Sequence, residues 1–188
     1  MRTLLLLLLA AAGAAAAQNT NDGPSGPQNV PRPKSNWELE QEQRNPVESP
    51  VALPALPRDA DLIEFYVSNM VSFRFFIDAA SLSVGPDRVV RYTLVARSPS
   101  GIANVSHEGM RCADLSYRIY AYGQDGRWAV ARNAEWREIE PKTVQRWHNE
   151  LRLRVFCMGR AAILSAADGL EALLHGGLPG SATRPGWR

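Results

Sequence analysis

The side chains best able to do chemistry here are three histidines, two cysteines and a scatter of carboxylates, and their spacing decides whether they can act together. His107 precedes Glu108, a pairing that a general base needs within hydrogen-bond reach. The flanking residues read as a strand, which points adjacent side chains to opposite faces, so the two can cooperate only across a bulge. His148 follows Trp147 on an expected helix and is expected at the surface. His175 falls at the end of another helix, where a cation is favoured by the dipole. Three scattered histidines give no metal-ligand spacing. No serine sits in Gly-x-Ser-x-Gly, and no glycine-rich phosphate loop is present. Asn104-Val105-Ser106 matches a glycosylation triplet but reads better as strand with its polar residues outward. No catalytic, cofactor-binding or metal-ligating residue is therefore assigned.

Cys112 and Cys157 lie 45 positions apart, too far for a CxxC redox site. In an oxidising compartment a lone pair of this kind in a small domain is expected as a structural disulfide. Buried free thiols and cysteine chemistry are the alternatives. Closing that loop stabilises the fold by up to about 4 kcal/mol in the chain-entropy model.

The compartment follows from the N-terminus. Arg2, the apolar run from Leu4, and Ala15-Ala16-Ala17 make the three parts of a secretory signal, with cleavage expected before Gln18. Leu4–Ala17 spans 14 residues, short of the roughly 20 that cross a bilayer. No later apolar run reaches that length, so no transmembrane segment is expected after cleavage. The formal charge of +2 over 188 residues argues against a nucleic-acid binder, which concentrates basic surface.

The elements that must position these residues fill the middle of the chain. Residues 18–58 carry eight of the 13 prolines among Asn, Gln, Gly and Ser, and read as a flexible leader. Within it Ser35-Asn36-Trp37-Glu38-Leu39-Glu40 is an anchored-turn candidate. Residues 59–175 read as a single domain, and 176–188 as a disordered tail broken by Gly and Pro. Strands are expected at Phe73–Asp78, at Arg88–Arg97, from Ala103, at Leu115–Ala121 and at Arg127–Arg132, with a short edge near Trp136–Ile139. Val90, Tyr92, Leu94 and Ala96 share one face of the second; Arg91 and Thr93 take the other. Gly123-Gln124-Asp125-Gly126 signals a hairpin. Pro141, Val144, Trp147 and Leu151 mark a helix, Leu153, Val155 and Cys157 a last strand. Ile163, Leu164, Ala167, Leu170, Leu173 and Leu174 form the stripe of a C-terminal amphipathic helix that Gly176 ends. The fold class is α+β: a curved antiparallel β-meander with one or two packed helices.

Two surfaces invite partners. Arg146, Arg152, Arg154 and Arg160 could face an anionic ligand such as phosphate or lipopolysaccharide; a solvated face balanced by Glu135, Glu138, Glu140 and Glu150 is the favoured alternative. Tyr120 and Tyr122 are expected on one strand face, opposite Tyr117 and Ile119, where they could bind sugar or peptide or simply pack.

The run Val89–Val95, then Ser100–Cys112, with Tyr120-Ala121-Tyr122-Gly123, Gly126-Arg127-Trp128 and Phe156-Cys157 in order, resembles the cryptic neisserial protein family of exported proteobacterial proteins. The resemblance covers roughly 60–175 and touches Trp37-Glu38. It implies a periplasmic or other Gram-negative envelope location, and no activity. An aromatic is usual in that family at the position of His107. The functional expectation is a non-enzymatic binding or assembly module of the envelope, tethered by its leader, without cofactor, its partner an envelope protein or glycan. The alternative is a hydrolase of envelope polymers, which would bring His107, Glu108, Asp114 or His148 into one concave pocket.

Overall fold

The computed structural model describes residues 32–39, 47–140 and 146–181. The stretch expected to be a secretory signal, most of the expected leader, Pro141, Val144 and the chain after residue 181 lie outside them. All of the sheet and both helices below belong to one compact unit, Ser35–Arg188.

Six strands follow one another across an antiparallel sheet: β1 (Leu62–Phe65), β2 (Arg74–Val84), β3 (Val89–Arg97), β4 (Ala103–Arg111), β5 (Ser116–Gln124) and β6 (Arg127–Val130). A two-residue β7 (Arg137–Glu138) pairs with the start of β5, whose far half is taken by β6. The sheet is the expected meander, and it stays open. Its turns follow the residues that preset them. Asp125 and Gly126 both take positive φ, 51° and 74°, the geometry that matches a two-residue hairpin to strand twist.

The core lies on one face, where Phe75, Ile77, Val90, Tyr92, Met110 and Tyr117 meet the C-terminal segment. That segment runs through α1 (Arg146–Leu151), a π-helical turn (Arg152–Phe156), a small hairpin of β8 (Cys157–Met158) and β9 (Ala161–Ala162), and α2 (Ala166–His175). The strand expected from Leu153 is thus helical. Leu151 and Val155 are both buried at helical spacing, and the two-residue alternation around them reflects arginines at 152 and 154, not a pleat. α2 begins with a reciprocal cap, Ser165 and Asp168 each satisfying the other's backbone N–H, and ends at Gly176 in the left-handed conformation. Its buried face is Gly169, Ala172 and Leu173, while Leu164 and Leu174 are exposed, so the stripe is turned from the expected one. Gly169 is what lets α2 lie close to β2: a Cβ there would stand 2.9 Å from both Leu82 and Ile163. Past α2, Leu178 is buried and its N–H donates to the Arg154 carbonyl, so packing continues into the stretch assigned above to the tail.

Cys112 and Cys157 form a disulfide with Cα atoms 5.7 Å apart. It joins the end of β4 to the start of β8, and so the sheet to the helical segment.

The opposite face is covered too, which is why Arg91, Thr93 and His107 are buried there. Residues 47–58, placed above in the leader, cross it. Glu48 accepts hydrogen bonds from Arg118 (2.6 Å), Tyr120 (2.7 Å) and Trp136 (3.2 Å). The Ser49 carbonyl accepts from Arg91, and the Pro54 carbonyl from the Trp128 indole. Proline content predicted an unpacked spacer; the polar and aromatic groups of the sheet give this part of it fixed partners. Farther upstream, Ser35 and Glu38 cap a helical turn at 36–39, with Trp37 two-thirds exposed.

Candidate functional site

Two neighbouring strands and a bulge build the site. β3 and β4 pair without interruption, Tyr92 opposite Glu108 and Leu94 opposite Ser106, so all four project toward the core face. Between β4 and β5 the register shifts: His107 faces Ala121, yet Glu108 faces Ile119. Tyr120 is the extra residue, as a bulge requires. It is thrown to the far face, while Ile119 and Tyr122 stay on the core side. Gly109 permits this, since a Cβ there would collide with the Tyr120 ring.

The result is a cleft of about 560 Å³ between these strands, the loop before β2 and the start of α1. Its walls include Phe73, Phe75, Leu94, Ile119, Tyr122 and Trp147; Met70, at its edge, is largely exposed. Glu108 and His148 form the floor, each only 2% exposed. Glu108 Oε2 lies 2.8 Å from His148 Nε2 and accepts from the Tyr92 hydroxyl at 3.0 Å; Oε1 accepts from Ser106 at 2.6 Å. The His148 ring stacks on Tyr117 with centroids 3.7 Å apart.

Burial pushes the Glu108 carboxyl up, but His148 and the hydrogen bonds from Ser106 and Tyr92 outweigh it and hold it below the usual carboxylate range. The Tyr92 hydroxyl is driven well above its ordinary value by burial and by Glu108, so it remains a donor. Ser106 gives its proton to the carboxylate, not to the imidazole. A serine nucleophile needs a base on that proton, and here an acidic carboxylate already bonded to Tyr92, Ser106 and His148 stands between hydroxyl and histidine. The arrangement therefore acts as a rigid polar floor. Two of its atoms are left over: His148 Nδ1 and Trp147 Nε1 are buried without a hydrogen-bond partner among the described residues. Such atoms cost about 1–3 kcal/mol each when nothing meets them.

The other candidates are dispersed. His107 does not join Glu108; it sits on the far face, 3.2 Å from Thr93 Oγ1, with Tyr120 and Trp128 rings beside it. Burial, helped by Arg91 and opposed by Glu108, pushes its pKa down to about 4. Asp114 is held by Arg111 and Ser116 beyond the other end of β4. His175 is exposed at the end of α2, as expected there. Among the described residues no group of three or more His, Cys, Asp or Glu is placed to hold a metal.

The chain's core and N-terminal extension match the model of the CNP1-like family over residues 41–174. The chain belongs to the CNP1-like family. It is also 33% identical over 78 residues to cryptic neisserial protein 1 of Neisseria gonorrhoeae, covering 35% of this chain and 38% of that one, so the match spans well under half of the relative. No solved structure matches it.

Four expectations change within this CNP1-like fold. His148 is buried, not at the surface, because α1 turns it under the sheet onto Glu108. Tyr120 and Tyr122 do not share a face, because the bulge separates them. The arginine patch is dismantled by the helical turn: Arg154 is buried against Glu150 at 3.0 Å, Arg152 is bonded to Asn149, and Arg160 donates to the Ala113 carbonyl. Ser106, expected outward, points inward with Glu108. Met110, two residues on at the same strand parity, was the signal for that.

Proposed function

We propose that this CNP1-like chain is an exported, non-enzymatic binding module of the bacterial envelope that holds an envelope component in the cleft over Glu108 and His148. The observation that carries the reading is the combination of apolar walls and a pre-organised polar floor in one cleft. Ligand sites have this composition, mostly apolar lining with a few convergent polar groups. Export is supported by the tripartite start of the sequence and by the Cys112–Cys157 disulfide. Among the described residues no helix is long and apolar enough to cross a membrane.

The hydrolase reading draws on Glu108 and His148 sharing one cleft. The direction of the Ser106 hydroxyl and the three hydrogen bonds that Glu108 already holds count against it.

Native mass spectrometry of the full chain after incubation with envelope extract tests the proposal. A retained mass, recovered chemically unchanged and absent from Ala96→Trp, whose indole would fill the cleft, is the expected result. Conversion of the bound material, or retention that ignores the filled cleft, would overturn it.

A further inference from the structure

Apart from that cleft, we propose a second binding site at the disulfide end of the sheet. It takes a small phosphate monoester, with Arg88 and Arg160 on the phosphate and the apolar body along Met158 and Leu164.

Three turns converge there. The β2–β3 turn at 85–88, the β4–β5 turn at 112–115 and the β8–β9 hairpin enclose a pocket of about 430 Å³. The Cys112–Cys157 bond clamps the second turn to the hairpin, so this pocket is held in shape before any ligand arrives. It shares no lining residue with the cleft over Glu108, which opens at the opposite ends of β3 and β4.

Its charges do not balance. Asp87 is the one carboxylate in the lining; it is 3% exposed and both its oxygens are taken by Arg91. Arg111 is matched by Asp114 and lies over the Trp136 ring. Arg88 and Arg160 have no acidic partner among the described residues. Arg160 donates one Nη1 hydrogen bond to the Ala113 carbonyl at 2.7 Å, which holds its guanidinium against another residue of the lining and leaves its other donors unspent. Arg88 is exposed and takes a φ of 60°, a left-handed conformation that suits Gly or Asn and strains a longer side chain. Leu115 takes the same conformation in the next turn, but it is partly buried there. The Arg88 backbone N–H closes its turn on the Gly85 carbonyl, which any residue but proline could do. Its side chain makes no hydrogen bond or ion pair among the described residues, so the strain has no return within the fold.

Two unmatched guanidinium ions suit a phosphate monoester, which carries about −1.5 to −2 at neutral pH and offers oxygens for both forks. The rest of the wall is apolar: Ala113, Ala161 and Ala162, with Met158 and Leu164 both more than half exposed. Beyond Leu164 the nearest acid, Asp168, is spent on the α2 cap.

The test titrates the full, disulfide-intact chain with hexyl phosphate, inorganic phosphate, hexanoate and 1-hexanol, following the Ala113 and Ala161 amides and the Met158 methyl. Hexyl phosphate should bind at least about tenfold tighter than hexanol and several-fold tighter than the other two. Arg160→Gln and Arg88→Asn should each weaken it several-fold, while Arg88→Asn, relieved of the strained conformation, melts no lower than wild type. Equal binding of hexanol, hexanoate or inorganic phosphate overturns the proposal, as does binding of none of the four. Affinity unchanged in either variant, or a clear fall in the melting temperature of Arg88→Asn, overturns it too.

Discussion

The Glu108 carboxylate and the His148 imidazole meet at 2.8 Å in a place that neither shares with bulk water. They come from residues 40 positions apart, one on β4 and one on α1, so their contact ties the first half of the fold to the second. Breaking a buried pair by removing one partner leaves the other uncompensated. Glu108→Ala should therefore lower the unfolding free energy by about 3–5 kcal/mol in denaturant titration. A loss below about 1 kcal/mol would mean that the pair is not the keystone described here.

Acid should weaken the fold before it touches the carboxylates. His107 is held neutral, with its pKa near 4 when folded and near 6.5 when unfolded. Between those values the unfolded chain binds the extra proton, so stability present above pH 6.5 is lost as the pH falls toward 4. Asp87 acts in a lower window. Burial raises its carboxyl, but Arg91 and the Ser49 and Val89 N–H groups outweigh that and bring it to about 2, so its contribution fades only below the ordinary carboxylate range. Melting temperatures across pH 7 to 4 should fall in wild type and flatten in His107→Phe. Parallel curves would remove His107 as the cause.

Glu48 latches the strap at 47–58, since Arg118 and Tyr120 on β5 and Trp136 just before β7 donate to it. In wild type, limited proteolysis should spare this stretch. Glu48→Ala should open it, with a stability loss of about 1–3 kcal/mol from the orphaned donors. Equal cleavage of both proteins within 47–58 would show that Glu48 does not fasten the strap.

Reduction of Cys112–Cys157 should lower the melting temperature clearly. The chain-entropy contribution for a loop of this size is about 4 kcal/mol, a large share of a small domain's stability. Non-reducing peptide mapping should recover the two cysteine peptides joined. Free thiols at both positions, or a melting temperature indifferent to reductant, would contradict it.

What the sequence made legible was local or periodic. The alternation of Val90, Tyr92 and Leu94 marked β3 and its core face, and Gly123–Gly126 marked the last hairpin. The cysteine pair was readable from compartment and count. The misreadings arise where tertiary contacts override such patterns. Residues 153–156 alternate like a strand but continue α1, because Leu151, Val155 and Phe156 are needed under the sheet. One bulged residue, Tyr120, reverses the facing of everything after it on β5, and no local signal announces it. The site suffers most, since Tyr92, Ser106, Glu108 and His148 are each ordinary in sequence and become a cluster only through register and the packing of α1.

The cleft over Glu108 and His148 is proposed to bind an envelope component. The most direct measurement is a chemical-shift footprint of the isotope-labelled full chain titrated with envelope extract. The Leu94 and Ile119 methyls and the Trp147 indole should move together, while the Trp128 indole on the strap face stays still. Shifts confined to the strap face or to α2, with the cleft methyls unmoved at saturation, would contradict it.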